Sequence, residues 1–353
     1  MGIFSADLFP TKLSVVIFLS YMGLFINQGI LVTASKTSTN QYKYSTVTVV
    51  LLTECIKLLT AMILYLKDHS FPTMMADINK YKTVMLFYFV PAFLYCLYNN
   101  LQFVNLAVFD PTTYYLLLQI RVVVTGIIFQ ILFKKKLSAV QWVSVLMLTV
   151  GCIIKDINRH MQHTTKPGAE TKEVSISSFF DIHLGLIMVQ VFASCFAGVY
   201  NEYLLKDKGC DVHIMMQNIF MYVDSIFCNV IVLGFRGELI GAFTIDNVTS
   251  LGKPIVIAIM FNNAAIGITT SLFLRNMNSI LKTFASALEL MFTAVLCWFI
   301  FGIAIDVYTV VAIFVVSIAV YIYSQNPVVN KPKNELTLSP VLMKENGSVK
   351  ETV

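Results

Sequence analysis

The sequence predicts an all-α, polytopic membrane protein with ten transmembrane helices arranged as two inverted five-helix repeats. Of the 353 residues, 57% are hydrophobic and only 13% are charged, and the mean hydropathy is +0.74. Soluble domains carry about 25% charged residues. Apolar runs of about 20 residues, the length that crosses a bilayer, recur along the chain. Five precede a polar segment and five follow it, and an odd number of spans in each half requires that the repeats be inverted.

The predicted spans are helices, because backbone polar groups in lipid must be hydrogen-bonded within their own segment. Residues 67–82 are expected to form a polar loop between the second and third spans. Pro111 is expected to begin the fourth span, with Asp110 as its cap. The ten spans cover residues 13–33, 45–66, 83–105, 112–133, 138–154, 181–204, 214–235, 254–274, 280–302 and 304–324.

Ten spans place both termini on one side of the membrane, and the basic residues favour the cytosol for that side. In this orientation 14 of the 25 Lys and Arg residues are cytosolic, 8 are on the opposite side and 3 lie within spans, as the positive-inside rule requires. A glycosylation sequon at Asn247 then falls in a luminal loop. The predicted organisation is a cytosolic N-terminus (1–12), a first repeat (13–154), a luminal linker (155–180), a second repeat (181–324) and a disordered cytosolic tail (325–353).

The stretch 95–121 contains the most informative polar residues. Arg121 falls about ten residues into a predicted span, near mid-depth, where an arginine costs about 2.5–3.5 kcal/mol and usually faces a cavity or a partner. Its planar guanidinium suits phosphate oxygens. Tyr114, seven residues earlier, is expected on the same helix face, whereas Gln119 is expected to point elsewhere. The alternative is a structural ion pair, for which Asp224 in the seventh span is the best candidate.

Further polar residues lie inside other spans. Glu54 and Lys57 are three residues apart and share a helix face, as do Asn218 and Tyr222, which are four apart. The Glu54–Lys57 pair either neutralises itself or offers Lys57 to a ligand. Lys282 lies near a membrane end, where snorkelling is the ordinary explanation.

Several classes of function find no support in the sequence. The cysteines and histidines show neither a disulfide framework nor a metal-ligand spacing, so no metal or cofactor is expected. The basic residues flank spans and form no stripe, which argues against nucleic-acid binding. No nucleophile–base motif indicates an enzyme.

The chain resembles the Golgi nucleotide-sugar transporters, in particular the subfamily that carries UDP-galactose and CMP-sialic acid. The resemblance covers roughly residues 13–325. It depends on seven segments, namely TECIKLL, YNN at 98–100, TTYYLLLQIR at 112–121, KKKLSAVQWVSV at 134–145, FAGVYNEYLLK at 196–206, QNIFMY at 217–222 and SILKTFAS around Lys282.

The resemblance implies a fold like that of drug and metabolite transporters, with a central cavity that opens alternately to each side. It implies that a nucleotide sugar enters the Golgi lumen in exchange for a nucleoside monophosphate. A homodimer or an association with glycosyltransferases would fit the same setting. The implied substrate-binding residues are Lys57, Tyr95, Asn99, Tyr114, Arg121, Asn218, Tyr222, Ser271 and Lys282.

Two positions depart from the family pattern. Arg121 stands where the galactose and sialic-acid carriers have a lysine, which keeps the charge and changes the geometry. Asp224 replaces a small polar residue. Three functions therefore remain open: a UDP-galactose antiporter, a carrier of a CMP- or CDP-linked sugar, and a non-transporting membrane scaffold for glycosyltransferases.

Overall fold

The protein is a bundle of α-helices, seen in a computed structural model. Among the described residues, the regular elements are all helical and no strand occurs. The structure describes residues 9, 11–35, 44, 46–108, 114, 117–164, 182–237, 241, 243–245, 249, 251–302 and 305–330.

Eleven α-helices are described over their whole length, and we number them in chain order. A five-residue π-helical turn, Leu204–Lys208, follows α7 directly. The helices are α1 (Lys12–Ser35), α2 (Thr46–Leu66), α3 (Phe71–Lys80), α4 (Lys82–Val108), α5 (Arg121–Phe133), α6 (Ala139–Thr164), α7 (Ile182–Tyr203), α8 (Ile214–Phe235), α9 (Pro254–Asn276), α10 (Ser279–Phe301) and α11 (Val307–Gln325).

Eight of the helices are long and apolar enough to cross a membrane: α1, α2, α4 and α7 to α11. The multi-pass membrane prediction is therefore confirmed. Two shorter apolar segments, Arg121–Phe133 and Ala139–Ile154, coincide with the predicted fourth and fifth spans. Large apolar side chains on the outside of the bundle, such as Ile63, Ile131 and Phe314, are more than 60% exposed, as expected of surfaces that contact lipid tails.

The fourth predicted span differs in detail from the expectation, because an irregular turn interrupts it just before Arg121. Residues 119 and 120 form a turn. Ile120 donates its N–H to Leu117 O at 3.3 Å, and Val122 donates to Gln119 O at 3.2 Å. These are i to i+3 bonds, which tighten the backbone into a 3₁₀-like turn. Arg121 therefore directly follows an irregular turn, before which residues 117 and 118 are again helical.

Residues 71–80 form helix α3, where the sequence analysis expected a loop. Ser70 caps it by accepting the N–H of Thr73 at 3.4 Å, and a proline occupies its first turn. Met74 is buried, and Asp77 accepts the Tyr65 hydroxyl at 2.5 Å. A ten-residue helix is too short to stand out by hydropathy from a polar loop, but its cap and its contacts to α2 fix it.

The two halves of the chain are interleaved. The most extensive helix contacts are α6 with α11, α4 with α7, α1 with α9, and α4 and α2 with α8. Each of these pairs joins one of the helices α1 to α6 to one of the helices α7 to α11, and α6 itself ends at Thr164, inside the predicted linker. A cavity in the middle of such a bundle is therefore lined by both halves, as an inverted-repeat arrangement would require.

Candidate functional site

A cavity of about 160 Å³ lies among α4, α5, α6, α7 and α10. Its wall contains more polar groups than the hydropathy of the helices suggests. The polar lining side chains are Tyr95, Gln119, Arg121, Thr125, Cys152, Ser194, Cys195, Ser279, Lys282, Thr283 and Ser286.

Arg121 is held at the cavity by its backbone. Its carbonyl accepts the Thr125 hydroxyl at 2.7 Å and the Cys195 thiol at 3.2 Å. The first bond lies within α5 and the second comes from α7. The turn before α5 and these two bonds fix the direction in which the half-buried guanidinium leaves the backbone.

Lys282 reaches the same cavity from the first turn of α10. Asn278 caps this helix by accepting the N–H of Leu281 at 2.7 Å. Ser279, in the same turn, also lines the cavity, and its hydroxyl is buried without a hydrogen-bond partner. The N–H of Ser279 at this helix N-terminus donates to Glu202 Oε2 at 2.7 Å, so a carboxylate already caps α10.

The two cations line the same cavity, and no acid is paired to either in the described part of the chain. The ion pairs there are Glu54–Lys57 and Glu202–Lys206. Two cations around one cavity create a positive potential that a multiply charged anion would neutralise. This is the electrostatic pattern of a phosphate site.

Tyr95 and Asn99 contribute from α4. Tyr95 lines the cavity, and its hydroxyl lies 3.7 Å from the position that a Cβ atom on Gly198 would take. Asn99 is exposed and lies one helical turn further along the same face of α4. The two residues therefore form a polar edge that continues from the cavity wall.

A second polar cluster, formed by Lys57, Asn218, Tyr222 and Ser271, lies between α2, α8 and α9; we call it the α2–α8 cluster. Lys57 Nζ is 2.6 Å from Glu54 Oε1 and 4.9 Å from the centre of the Tyr222 ring. Ser271 donates its hydroxyl to Asn218 Oδ1 at 2.5 Å. The structure thus brings these four residues together, and none of them is among the lining residues of the Arg121 cavity.

A close approach of α9 makes the α2–α8 cluster compact. A Cβ atom on Gly267 would lie 2.5 Å from Lys57 Cδ and 3.0 Å from the Tyr222 hydroxyl oxygen. The first distance is too short for any side-chain carbon, so the stem of Lys57 occupies the space that the missing side chain leaves.

Tyr114 lies in the packed core and is not among the residues that line the cavity. It is fully buried, and its hydroxyl accepts Gln190 Nε2 at 2.7 Å. Gln190 in turn accepts Asn105 Nδ2 at 2.7 Å. Gln119, which we expected to point elsewhere, lines the cavity instead. The turn at residues 119 and 120 changes the angular spacing that a continuous helix would impose.

Asp224 does not pair with Arg121. Its side chain is 9% exposed, its Oδ2 atom has no hydrogen-bond partner, and no ion pair to any described residue forms there. The structural pair that the alternative interpretation of Arg121 required is therefore absent among the described residues. Asn247, the glycosylation candidate, lies outside them.

Sequence reasoning missed the hydroxyl groups of α10 and α7 that line the cavity. Ser279, Thr283 and Ser286 recur at intervals of three and four residues around Lys282. This spacing places them on one helix face. A search for small polar residues in phase with each intramembrane cation would have found them.

Comparison with known proteins gives matches over nearly the whole chain. The nucleotide-sugar transporter family profile matches residues 11–324. The UDP-galactose transporter senju of Drosophila melanogaster is 55% identical over 93% of this chain and 90% of its own length. CMP-sialic acid transporter 1 of Oryza sativa subsp. japonica is 27% identical over 87% of the chain and 93% of its own length.

One solved crystal structure shares the fold. It covers 88% of this chain and 95% of its own length, with a TM-score of 0.54 and 12% sequence identity. At this identity the match supports the helical architecture alone.

Proposed function

The chain belongs to the nucleotide-sugar transporter family, and we propose that it imports a UDP-sugar, namely UDP-galactose, into the Golgi lumen in exchange for UMP. Members of this family are transporters and not enzymes. The sugar, the direction of transport, the exchange and the cytosolic placement of both termini are part of the proposal. The 55% identity to a UDP-galactose transporter supports the choice of substrate.

The observation that carries the proposal is the pair of cations, Arg121 and Lys282, at one cavity. A nucleoside monophosphate brings one doubly charged phosphate and a UDP-sugar brings two singly charged phosphates, so one site with two cations suits both. A guanidinium offers a bidentate fork to phosphate oxygens and an ammonium acts as a point charge. We assign phosphate binding to these two residues.

The remaining predicted residues are assigned to the nucleoside and the sugar. Tyr95 and Asn99 form the polar edge beside the cations, where a ring face and an amide would contact the base or the ribose. The α2–α8 cluster supplies a second set of amide and hydroxyl groups for the sugar side. In this arrangement Lys57 exchanges its partner Glu54 for the ligand.

Binding of a whole nucleotide sugar requires the helices to move. The cavity of about 160 Å³ is smaller than the roughly 300–1,000 Å³ of typical ligand pockets. The ligand would therefore shift the protein towards a wider state, and it can do so only by binding that state more tightly. This is the behaviour that alternating access demands.

Counterflow in proteoliposomes tests the exchange. Vesicles containing the purified protein are loaded with UMP, CMP or GMP, or left empty, and the uptake of labelled UDP-galactose is followed. We expect UMP-loaded vesicles to take up label about tenfold faster than empty ones. With UMP inside, the carrier can reorient with UMP bound and need not reorient with an empty site. Equal uptake into all four vesicle types would contradict the exchange.

A carrier of a CMP-linked sugar is the second candidate, favoured by the matches to CMP-sialic acid transporters over most of the chain. The same experiment separates the two. If CMP-loaded vesicles exceed UMP-loaded ones, and labelled CMP-sialic acid enters faster than UDP-galactose, the base assignment is wrong while the phosphate site stands.

A further inference from the structure

The five residues after α11, 326–330, cross one end of the bundle and are bound there by side chains of other elements; we call them the C-terminal strap. Gln141 Nε2 donates to Asn326 O at 2.9 Å. Asn278 Nδ2 donates to Val328 O at 2.7 Å. Lys135 Nζ donates to Val329 O at 3.0 Å and to Asn330 Oδ1 at 2.9 Å.

A buried ion pair lies beneath this strap. Glu202 and Lys206 face each other across one turn at the end of α7, and their side chains are 0% and 2% exposed. Lys206 Nζ donates to Glu202 Oε1 at 3.0 Å, to Asn330 O at 2.6 Å and to Met277 O. An ammonium group has three donors, so the strap supplies one of the three acceptors that this lysine needs.

Glu202 connects the strap to the cavity. Its Oε1 atom accepts Asn330 Nδ2 at 2.7 Å, and its Oε2 atom accepts the N–H of Ser279 at 2.7 Å. Ser279 lines the cavity in the same helical turn as Lys282. Glu202 also lies one turn beyond Gly198, another lining residue. The ion pair therefore lies directly below one end of the cavity.

We infer that Glu202 and Asn330 are positioning residues that form a latch: with the strap in place they close this end of the cavity and hold the first turn of α10, with Lys282, against it. Release of the strap opens the cavity to this face of the bundle. The inference rests on the proposed function only in treating the cavity as the transport path. It does not depend on which nucleotide sugar is carried.

The chemistry of the latch suits a two-state element. A buried ion pair needs every hydrogen bond to offset its desolvation, and here Asn330 provides two of them. When the strap leaves, water enters and solvates both charges, so the open state also satisfies them. An apolar plug of the same size would favour the closed state alone. Two discrete and separately satisfied arrangements are what a gate requires.

Thiol modification provides the test, because Cys195 lines the cavity and is 5% exposed. The protein in nanodiscs, without nucleotide, is treated with the anionic reagent MTSES, and modification of each cysteine peptide is followed by mass spectrometry. We expect Asn330→Ala to modify Cys195 about tenfold faster than the unmutated protein, because a shift in population multiplies the accessible fraction. Glu202→Gln is expected to act in the same direction.

Two controls separate a gate from a loss of stability. Asn276→Ala removes another amide, one that bonds to Leu272 O of its own helix at 2.8 Å, and it should leave the Cys195 rate unchanged. Cys228 is equally buried but is not a lining residue, so its rate should stay constant in Asn330→Ala. Parallel acceleration of Cys195 and Cys228, or an unchanged Cys195 rate in the folded variants, would overturn the latch. Failure of UDP-sugar transport would leave this result unaffected.

Discussion

Two regions of the bundle contain cations with opposite surroundings. Arg121 and Lys282 both line the cavity, and neither has a paired acid among the described residues. Beneath the strap, Lys206 is surrounded by Glu202 and two carbonyl groups. One region leaves charge for an incoming anion to neutralise, and the other neutralises its charge internally. A cation inside the membrane is therefore not by itself a sign of a ligand site. Its partners decide whether it binds a ligand or closes one end of the cavity.

The largest expected effect tests the neutralised region. Lys206→Met should destabilise the protein by about 3–5 kcal/mol, because it leaves Glu202 buried without its counter-charge. Thermal unfolding in detergent would show the loss. The double variant Glu202→Leu with Lys206→Met should recover most of it, since apolar replacement of a whole buried pair is often neutral. A double variant as unstable as the single one would show that the pair does not act as a unit.

The next effect tests the unpaired region. Arg121→Ala should lower UDP-galactose exchange about 100-fold, because two charge-assisted hydrogen bonds to phosphate are lost at roughly 1.5 kcal/mol each. Its melting temperature should stay close to that of the unmutated protein, since no acid loses a partner. Arg236→Ala, an exposed arginine that bonds to Asn100 Oδ1 at 3.3 Å, is the matched control and should transport normally. A large loss of stability in Arg121→Ala would show that Arg121, like Lys206, is neutralised by partners inside the protein.

Gly267→Ala should give a smaller effect, about a tenfold rise in KM for UDP-galactose with a stable fold. The new methyl group displaces the Lys57 stem, whose Cδ atom lies 2.5 Å from its position, and a shift of about 1 Å in a binding group is costly. Gly23→Ala is the control, because its methyl group meets nothing within 4 Å. Equal KM values for the two variants would remove Lys57 from the binding site.

The smallest effect is a pH dependence of stability that arises at the N-terminus of α8. Burial and the neighbouring His69 lower the pKa of His213, which caps this helix by accepting the Met215 N–H at 3.3 Å. Because the folded state binds this proton less tightly than the unfolded state, stability is lost as the pH falls below about 6.5. The melting temperature should be lower at pH 5.5 than at pH 7.5. His213→Asn, which keeps a capping oxygen, should reduce this difference. An equal drop in melting temperature in this variant would show that groups other than His213 cause the pH dependence.

The sequence was sufficient for those parts of the fold that follow from hydropathy. Apolar runs of bilayer length predicted the eight long helices, because lipid allows few alternatives. The sequence was insufficient where hydrogen bonds determine the local backbone conformation. The turn at residues 119 and 120 and the π-helical turn Leu204–Lys208 leave no trace in hydropathy.

The sequence predicted which charged residues belong to the candidate site, but not which groups those residues contact. Arg121 and Lys57 stand out because intramembrane cations are costly, whereas Lys282 was implied by the family resemblance, since snorkelling explains a lysine near a membrane end. Whether such a residue faces a cavity or an acid depends on helices distant in sequence. For this reason the sequence left open the pairing of Arg121 with Asp224 and misplaced Gln119.

The most direct test of the unpaired region is calorimetric binding of UMP and uridine to the protein in nanodiscs, with Arg121→Ala in parallel. If Arg121 and Lys282 form a phosphate site, UMP should bind about 100-fold more tightly than uridine, as two charge-assisted hydrogen bonds predict, and Arg121→Ala should abolish most of this difference. Equal affinity for UMP and uridine in the unmutated protein, or an undiminished preference for UMP in Arg121→Ala, would contradict it.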